Sequence, residues 1–170
     1  METTMTAARI DRGSTATTAI YSEGGDLVMQ RTFAAPRELV WQAFTDPEIV
    51  PRWWGPHGTT TTVVEMDVRP GGRWRYVSTA PDREPVAFYG EYLEVDPPAA
   101  FRWTFMFDVE GVGPMGGPET HRFDEADGGT TVTSIGHMGS AEAIEGALAS
   151  GMVQGALETW DRLEAVLAST

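Results

Sequence analysis

Residues 32–56 read TFAAPRELVWQAFTDPEIVPRWWGP. The stretch leaves a strand, passes through Pro36 into a short amphipathic helix, breaks at Asp46-Pro47 and stops at Trp53-Trp54-Gly55-Pro56. A proline costs nothing at a helix start, where the backbone N–H has no intrahelical partner. Leu39, Val40, Ala43 and Phe44 recur at helical spacing as one apolar stripe, with Arg37, Glu38 and Gln42 on the other side. The pattern predicts two short helices after a first strand.

Downstream the period changes to two. Strands are expected over 59–68, 72–79, 86–95, 100–107, 119–124 and 130–137, divided by Arg69-Pro70-Gly71-Gly72, Ala80-Pro81-Asp82, Asp96-Pro97-Pro98 and Asp127-Gly128-Gly129. Parallel pairing needs crossover helices for which there is no room, so the strands should form an antiparallel meander. From Ser140 onward Ile144, Leu148, Met152, Ala156, Trp160, Leu163 and Leu167 mark one face of a single helix, about 40 Å long at 1.5 Å per residue. Ser140 suits the N-cap, with Glu142 and Glu145 near the positive end of the helix dipole. Gly146, Gly151 and Gly155 each cost that helix about 1 kcal/mol relative to alanine. Two readings stand: close packing or a bend near Gly151, or space left for a ligand.

Upstream, 26–34 alternates as a first strand. Residues 1–25 are rich in Thr, Ala, Ser and Gly and read as a flexible N-terminal arm with one added edge strand near 17–21. The division is therefore an arm over 1–25 and one ligand-binding domain over 26–170. A chain of 170 residues suits a single domain. It has no cysteine, which excludes disulfides, thiolate nucleophiles and cysteine-held metals. It has no lysine either, which excludes Schiff-base chemistry and a P-loop. The net charge of −13, with dispersed arginines, argues against nucleic acid as a partner. No apolar run is long enough to span a membrane and no secretory signal is evident, so the expectation is a cytoplasmic protein with no membrane partner.

FAAPRELVWQAFTDPE with RWWGP, RPGGRWRY, FYGEYLEVDPPAAFRWTF and SGMVQGALETWDRLEAVL, in that order, resemble the START-like or SRPBCC superfamily over residues 26–168. The nearest likeness is to its bacterial branch, similar to the activator of the heat-shock-protein ATPase. The resemblance implies an α+β helix-grip fold: a curved antiparallel sheet of about seven strands wrapped around a long C-terminal helix, with two short helices after strand 1. It also implies an apolar cavity between sheet and helix that holds a small hydrophobic molecule. The co-chaperone role does not transfer, because the eukaryotic activators carry a further N-terminal domain.

The residues expected to line that cavity are Trp54, Trp74, Tyr76, Phe88, Trp103, Phe105, His121, Met152 and Trp160. Trp74 and Tyr76 share a face opposite Arg73 and Arg75; Phe101, Trp103, Phe105 and Phe107 share one opposite Arg102 and Thr104. Each buried ring removes about 150–250 Å² from water, roughly 4–6 kcal/mol at most, so the rings could equally be plain core. One of Trp53 and Trp54 is expected to pack and the other to face the cavity mouth. His121, in step with Glu119 and Phe123, is a candidate base, as is Glu91 if its face is inward; otherwise Glu91 pairs with Arg73, Arg75 or Arg102. His57, His121 and His137 have no metal-ligand spacing, and neither a metal nor a cofactor is expected. Gly111-Val112-Gly113-Pro114-Met115-Gly116 matches a dinucleotide fingerprint but leads into a strand, not a helix, and reads as a flexible hairpin loop at the cavity rim. The function expected is ligand binding rather than catalysis. The alternatives are a cyclase or aromatase acting on a polyketide-like molecule, and a stress-related, co-chaperone-like interaction module. An exposed edge strand would permit a homodimer.

Overall fold

The computed structural model describes residues 8–109 and 111–170. Nine strands form one antiparallel sheet: β1 Arg9–Asp11, β2 Ala19–Glu23, β3 Asp26–Phe33, β4 Thr60–Met66, β5 Arg73–Thr79, β6 Val86–Asp96, β7 Ala100–Val109, β8 Gly113–Ala126 and β9 Gly129–His137. Their order is β1-β2-β3-β9-β8-β7-β6-β5-β4. The meander from β4 to β9 is as expected, and β3 closes onto β9 from Asp26↔His137 to Phe33↔Thr130. Register shifts between Val63 and Glu65 and between Tyr92 and Glu94 interrupt the ladders; irregularities of this kind bend a strand.

The seven-stranded expectation is corrected to nine. Both additional strands lie in the segment read as an arm, although residues 1–7 are outside those described. β2 is the edge strand expected near 17–21, and β1 lies beyond it; the hydroxyls of this segment have arginine partners. Arg12 Nε donates to Ser22 Oγ (2.8 Å) and Arg31 Nε to Thr18 Oγ1 (2.7 Å), while Ile20 is 2% exposed.

Helix α1, Arg37–Thr45, starts after Pro36 and buries Val40, Ala43 and Phe44. A 3₁₀ turn at Val50–Arg52 is the second short helix. The single C-terminal helix is corrected to two: α2 Ala141–Ala149 and α3 Met152–Ala168. Gly151 has φ +82°, the left-handed conformation that ends helices and that glycine adopts without strain. Ser140 caps α2, its Oγ accepting the Ala143 N–H at 3.1 Å. Helix α3 is thus about 25 Å long.

The inner face of the sheet carries the core. Phe33, Trp53, Trp74, Tyr76, Tyr92, Phe101, Trp103, Phe123 and Val132 bury against α1 and against Trp160, Leu163, Val166 and Leu167 of α3. Ile144 of α2 packs separately with Ile20 and Leu27. Strand β8 starts six residues earlier than expected. Gly113, Pro114, Gly116, Gly117 and Pro118 carry turn chemistry, yet all pair with β7; β9 pairs only from Glu119 onward. One side of this half of β8 is therefore a sheet edge, where a proline's missing N–H costs no ladder bond. The reading of this stretch as a loop is corrected to a strand, with Gly111 and Val112 in the preceding turn. No helix among the described residues is long and apolar enough to cross a membrane.

Candidate ligand-binding face

Trp74 on β5 and Trp103 on β7 are separated by β6, yet their rings stack at 4.0 Å with 15° between planes. The register explains the contact: Trp74 is opposite Gly90, which has no side chain to hold the indoles apart. Trp74 Nε1 donates to the Thr104 carbonyl at 3.1 Å. Around the pair, Tyr76 lies 4.8 Å from Trp74 and Tyr92 lies 5.7 Å from Trp103. Trp74, Tyr76, Tyr92 and Trp103 are all buried and form a floor.

Trp54 sits on that floor, half-buried. Its ring is 6.0 Å from Trp74, 4.9 Å from Tyr76, 5.8 Å from Phe88, 6.2 Å from Trp103 and 6.1 Å from Phe105. Phe88, Phe105 and Phe107 are half-buried too, so part of a continuous aromatic surface faces solvent. Trp53 takes the other role: it is buried 4.8 Å from Phe44, its Nε1 donating to the Ala43 carbonyl at 2.9 Å.

Arg162 of α3 holds Trp54 in place. Its guanidinium donates to the carbonyls of Gly55 (2.8 Å), Trp54 (3.2 Å), Pro56 (3.3 Å) and Arg52 (3.3 Å), and to Thr59 Oγ1 (3.3 Å). Burial lowers its pKa from the ordinary value. Nothing in the sequence distinguished this arginine from the other charged residues of its helix.

His121 joins the site from β8. It is 7% exposed, stacked on Phe101 at 4.7 Å and edge-on to Trp103 at 5.4 Å. Nδ1 lies 2.7 Å from Ser134 Oγ and Nε2 lies 2.8 Å from Glu119 Oε1, which also accepts from Trp103 Nε1 at 3.1 Å. Glu119 and Ser134 were not singled out as partners, although the alternation that selected His121 placed Glu119 on its face. Glu91 is corrected: it is exposed on the face opposite Tyr92, so it takes no part in this group. It is opposite Arg73 in register. His57 is exposed, and His137 is bound to Asp26 (3.0 Å) and Thr120 (2.9 Å) away from the rings.

Of the nine expected lining residues, six rings (Trp54, Trp74, Tyr76, Phe88, Trp103 and Phe105) come together, with His121 beside them. Trp160 is elsewhere, 5.7 Å from Phe33 and buried in the core. Met152 is 43% exposed at the first turn of α3, because the break at Gly151 removes it from the stripe that a continuous helix would have carried inward. Two surface hollows lie apart from the rings. One is bounded by Arg52, Arg162, Ala165, Val166 and Ser169, the other by residues 14–19, 30–32 and Glu164. At the middle of the expected cavity stands the Trp54 ring.

The floor contains two phenols. Burial pushes Tyr76 well above the ordinary value of 10.0, with neighbouring Tyr92 adding to the shift; burial likewise raises Tyr92, whose hydroxyl has no hydrogen-bond partner among the described residues. A phenol with its pKa raised on folding stabilises the fold fully below the unfolded pKa, and that stability is lost as pH rises from there toward the folded pKa. Unfolding free energy should therefore fall above about pH 10, with part of the tyrosinate absorbance appearing only at unfolding. Free ionisation of all four tyrosines in the folded protein would contradict this burial.

The model of the family described as "Activator of Hsp90 ATPase homolog 1-like protein" matches residues 34–168. The crystal structure of a protein from Mycobacterium smegmatis is 37% identical, with a TM-score of 0.77 over 86% of this chain and 92% of that one. One from Rhodobacter sphaeroides is 26% identical, with a TM-score of 0.80 over 90% of this chain and 99% of that one. A solution structure from Arthrobacter aurescens, 22% identical with a TM-score of 0.80 over 89% of this chain and 92% of that one, shares the fold. No curated protein matches the chain.

Proposed function

Because the chain belongs to the Activator of Hsp90 ATPase homolog 1-like family, within the START-like superfamily, we propose that its inner sheet face binds a small, largely hydrophobic molecule. The contacts are the half-buried rings of Trp54, Phe88 and Phe105. The observation that carries this reading is a continuous aromatic surface left partly in water although a buried aromatic floor lies directly beneath it. Large rings held in fixed contact offer apolar area at little entropic cost, and covering them releases water. The ligand seats on Trp54 or displaces its ring from the floor. Either way tryptophan emission changes.

N-phenyl-1-naphthylamine, an uncharged fluorophore, tests the reading. It should saturate at one equivalent per chain and quench tryptophan emission. A Phe88→Ala/Phe105→Ala double variant, which spares the buried floor, should weaken binding about tenfold or more. Non-saturable uptake, or undiminished affinity in a folded double variant, would remove this face as the site.

A further inference from the structure

We propose that the ligand is a hydrophobic amine whose ammonium group is held by Glu119 among the aromatic rings; this rests on the binding reading above and names the chemistry that the face selects. Glu119 Oε1 is occupied by Trp103 Nε1 and His121 Nε2, whereas Oε2 has no hydrogen-bond partner among the described residues. An ionised carboxylate only accepts, so His121 presents its Nε2–H to it, and Nδ1 lies 2.7 Å from Ser134 Oγ. Oε2 is not enclosed, since the Glu119 side chain is still 25% exposed.

The neighbours of that charge leave room. On the adjacent strand Glu119 faces Gly136, and two residues back along β8 is Gly117, opposite Phe105. A Cβ built on Gly117 meets nothing nearer than the His137 carbonyl oxygen at 3.9 Å; one on Gly136 meets the Met138 sulfur at 3.5 Å. The carboxylate is thus flanked by two positions without side chains and by the rings of Trp103 and Phe105. Aromatic faces attract cations through their quadrupole, and a carboxylate beside them adds a direct charge partner.

Among the described residues no arginine pairs with Glu119. Arg31, on the same face of the sheet, is 2% exposed and held by Thr18 and by Asp161 at 2.9 Å. Arg102 and Arg122 alternate to the opposite face, and Arg162 is committed to the carbonyls around Trp54. An anionic ligand would meet Glu119 unpaired, within a chain of net charge −13.

Equilibrium dialysis of the full chain at neutral pH against three probes of one shape tests the inference: 1-naphthylmethylamine as its ammonium, uncharged 1-methylnaphthalene, and 1-naphthylacetate. The ammonium should bind about tenfold more tightly than the neutral probe, and the carboxylate least. Glu119→Gln should abolish the preference, bringing the ratio of ammonium to neutral-probe affinity to about one. Glu91→Gln, which removes the same charge from the outer face, should preserve the preference. Equal binding of ammonium and neutral probes by the wild-type protein, or a preference that survives Glu119→Gln, overturns the amine assignment while the hydrophobic site stands. Failure of all three to bind removes both. The wild-type ranking needs no variant, so a poorly folded Glu119→Gln cannot obscure the outcome.

Discussion

Gly90→Ala is expected to destabilise the fold by about 3 kcal/mol, near 10 °C in Tm for a domain of this size, or to prevent folding. The cause is close approach. A Cβ at Gly90 would lie 1.8 Å from the Thr104 carbonyl oxygen and 2.8 Å from Thr104 Oγ1, and neither the oxygen nor the strand bearing it can turn aside as a flexible side chain could. The β6–β7 register breaks off at Tyr89↔Met106 and resumes at Tyr92↔Trp103; between them the Glu91 N–H donates to Thr104 Oγ1 at 2.9 Å. The same Thr104 carbonyl accepts the Trp74 indole. Displacing it would disturb the stacked indoles as well as the sheet. Gly136→Ala is the control, since its Cβ would touch the Met138 sulfur at an ordinary 3.5 Å, and its cost should be well under 1 kcal/mol. Thermal and urea unfolding of both variants decides the matter; a Gly90→Ala protein as stable as the wild type would mean that the indoles do not depend on this gap.

Gly90 also shows how far the sequence could be read. Period-two alternation assigned Trp74, Tyr76, Trp103 and Phe105 to one face, because each strand is half-buried and its polar residues alternate with apolar ones. Alternation says nothing about which rings meet across an intervening strand. That depended on register, set here by Trp74↔Gly90. Other misses have similar causes. In the polar segment over 9–23 the edge strand near 17–21 was legible, but β1 was not, and neither were the bonds by which Arg12 and Arg31 satisfy Ser22 and Thr18 across the strands. The seven-residue apolar stripe from Ile144 to Leu167 was read as one helix with a bend near Gly151 as one possibility; the bend is a full break, because spacing alone cannot show a residue entering the left-handed region. Pro114 and Pro118 signalled a loop because an edge position, which tolerates proline, is a property of the assembled sheet. At the site, His121 was legible through alternation, whereas its bond to Ser134 on β9 required the β8–β9 pairing.

Arg162→Met should have the second large effect, and it links stability to the binding face. Methionine keeps much of the apolar stem but removes a guanidinium that ties α3 to the Trp54, Gly55, Pro56 and Arg52 carbonyls. Hydrogen bonds to a charged donor contribute about 1.5–3 kcal/mol; the Gly55 and Arg52 carbonyls lose their donor, while those of Trp54 and Pro56 keep Thr61 Oγ1 and Thr59 Oγ1, so a loss of about 2 kcal/mol is expected. The loop from Trp53 to Thr59 would then be held by its own turn, with Gly55 at φ +96°, by Thr61 Oγ1 at the Trp54 carbonyl, by the His57 N–H to Glu158 and by the Trp54 ring. Trp54 should become mobile. Its emission should shift to the red, near-UV circular dichroism should weaken, and N-phenyl-1-naphthylamine should bind more weakly although no ring has been removed. Arg162→Lys should recover only part of this, because an ammonium cannot span several carbonyls as a planar fork does. If Arg162→Met loses stability but keeps both the Trp54 signature and probe affinity, the guanidinium merely fastens the helix. If affinity falls with the Trp54 signal, the position of that ring is what the arginine controls, and the binding face depends on a contact made from its back.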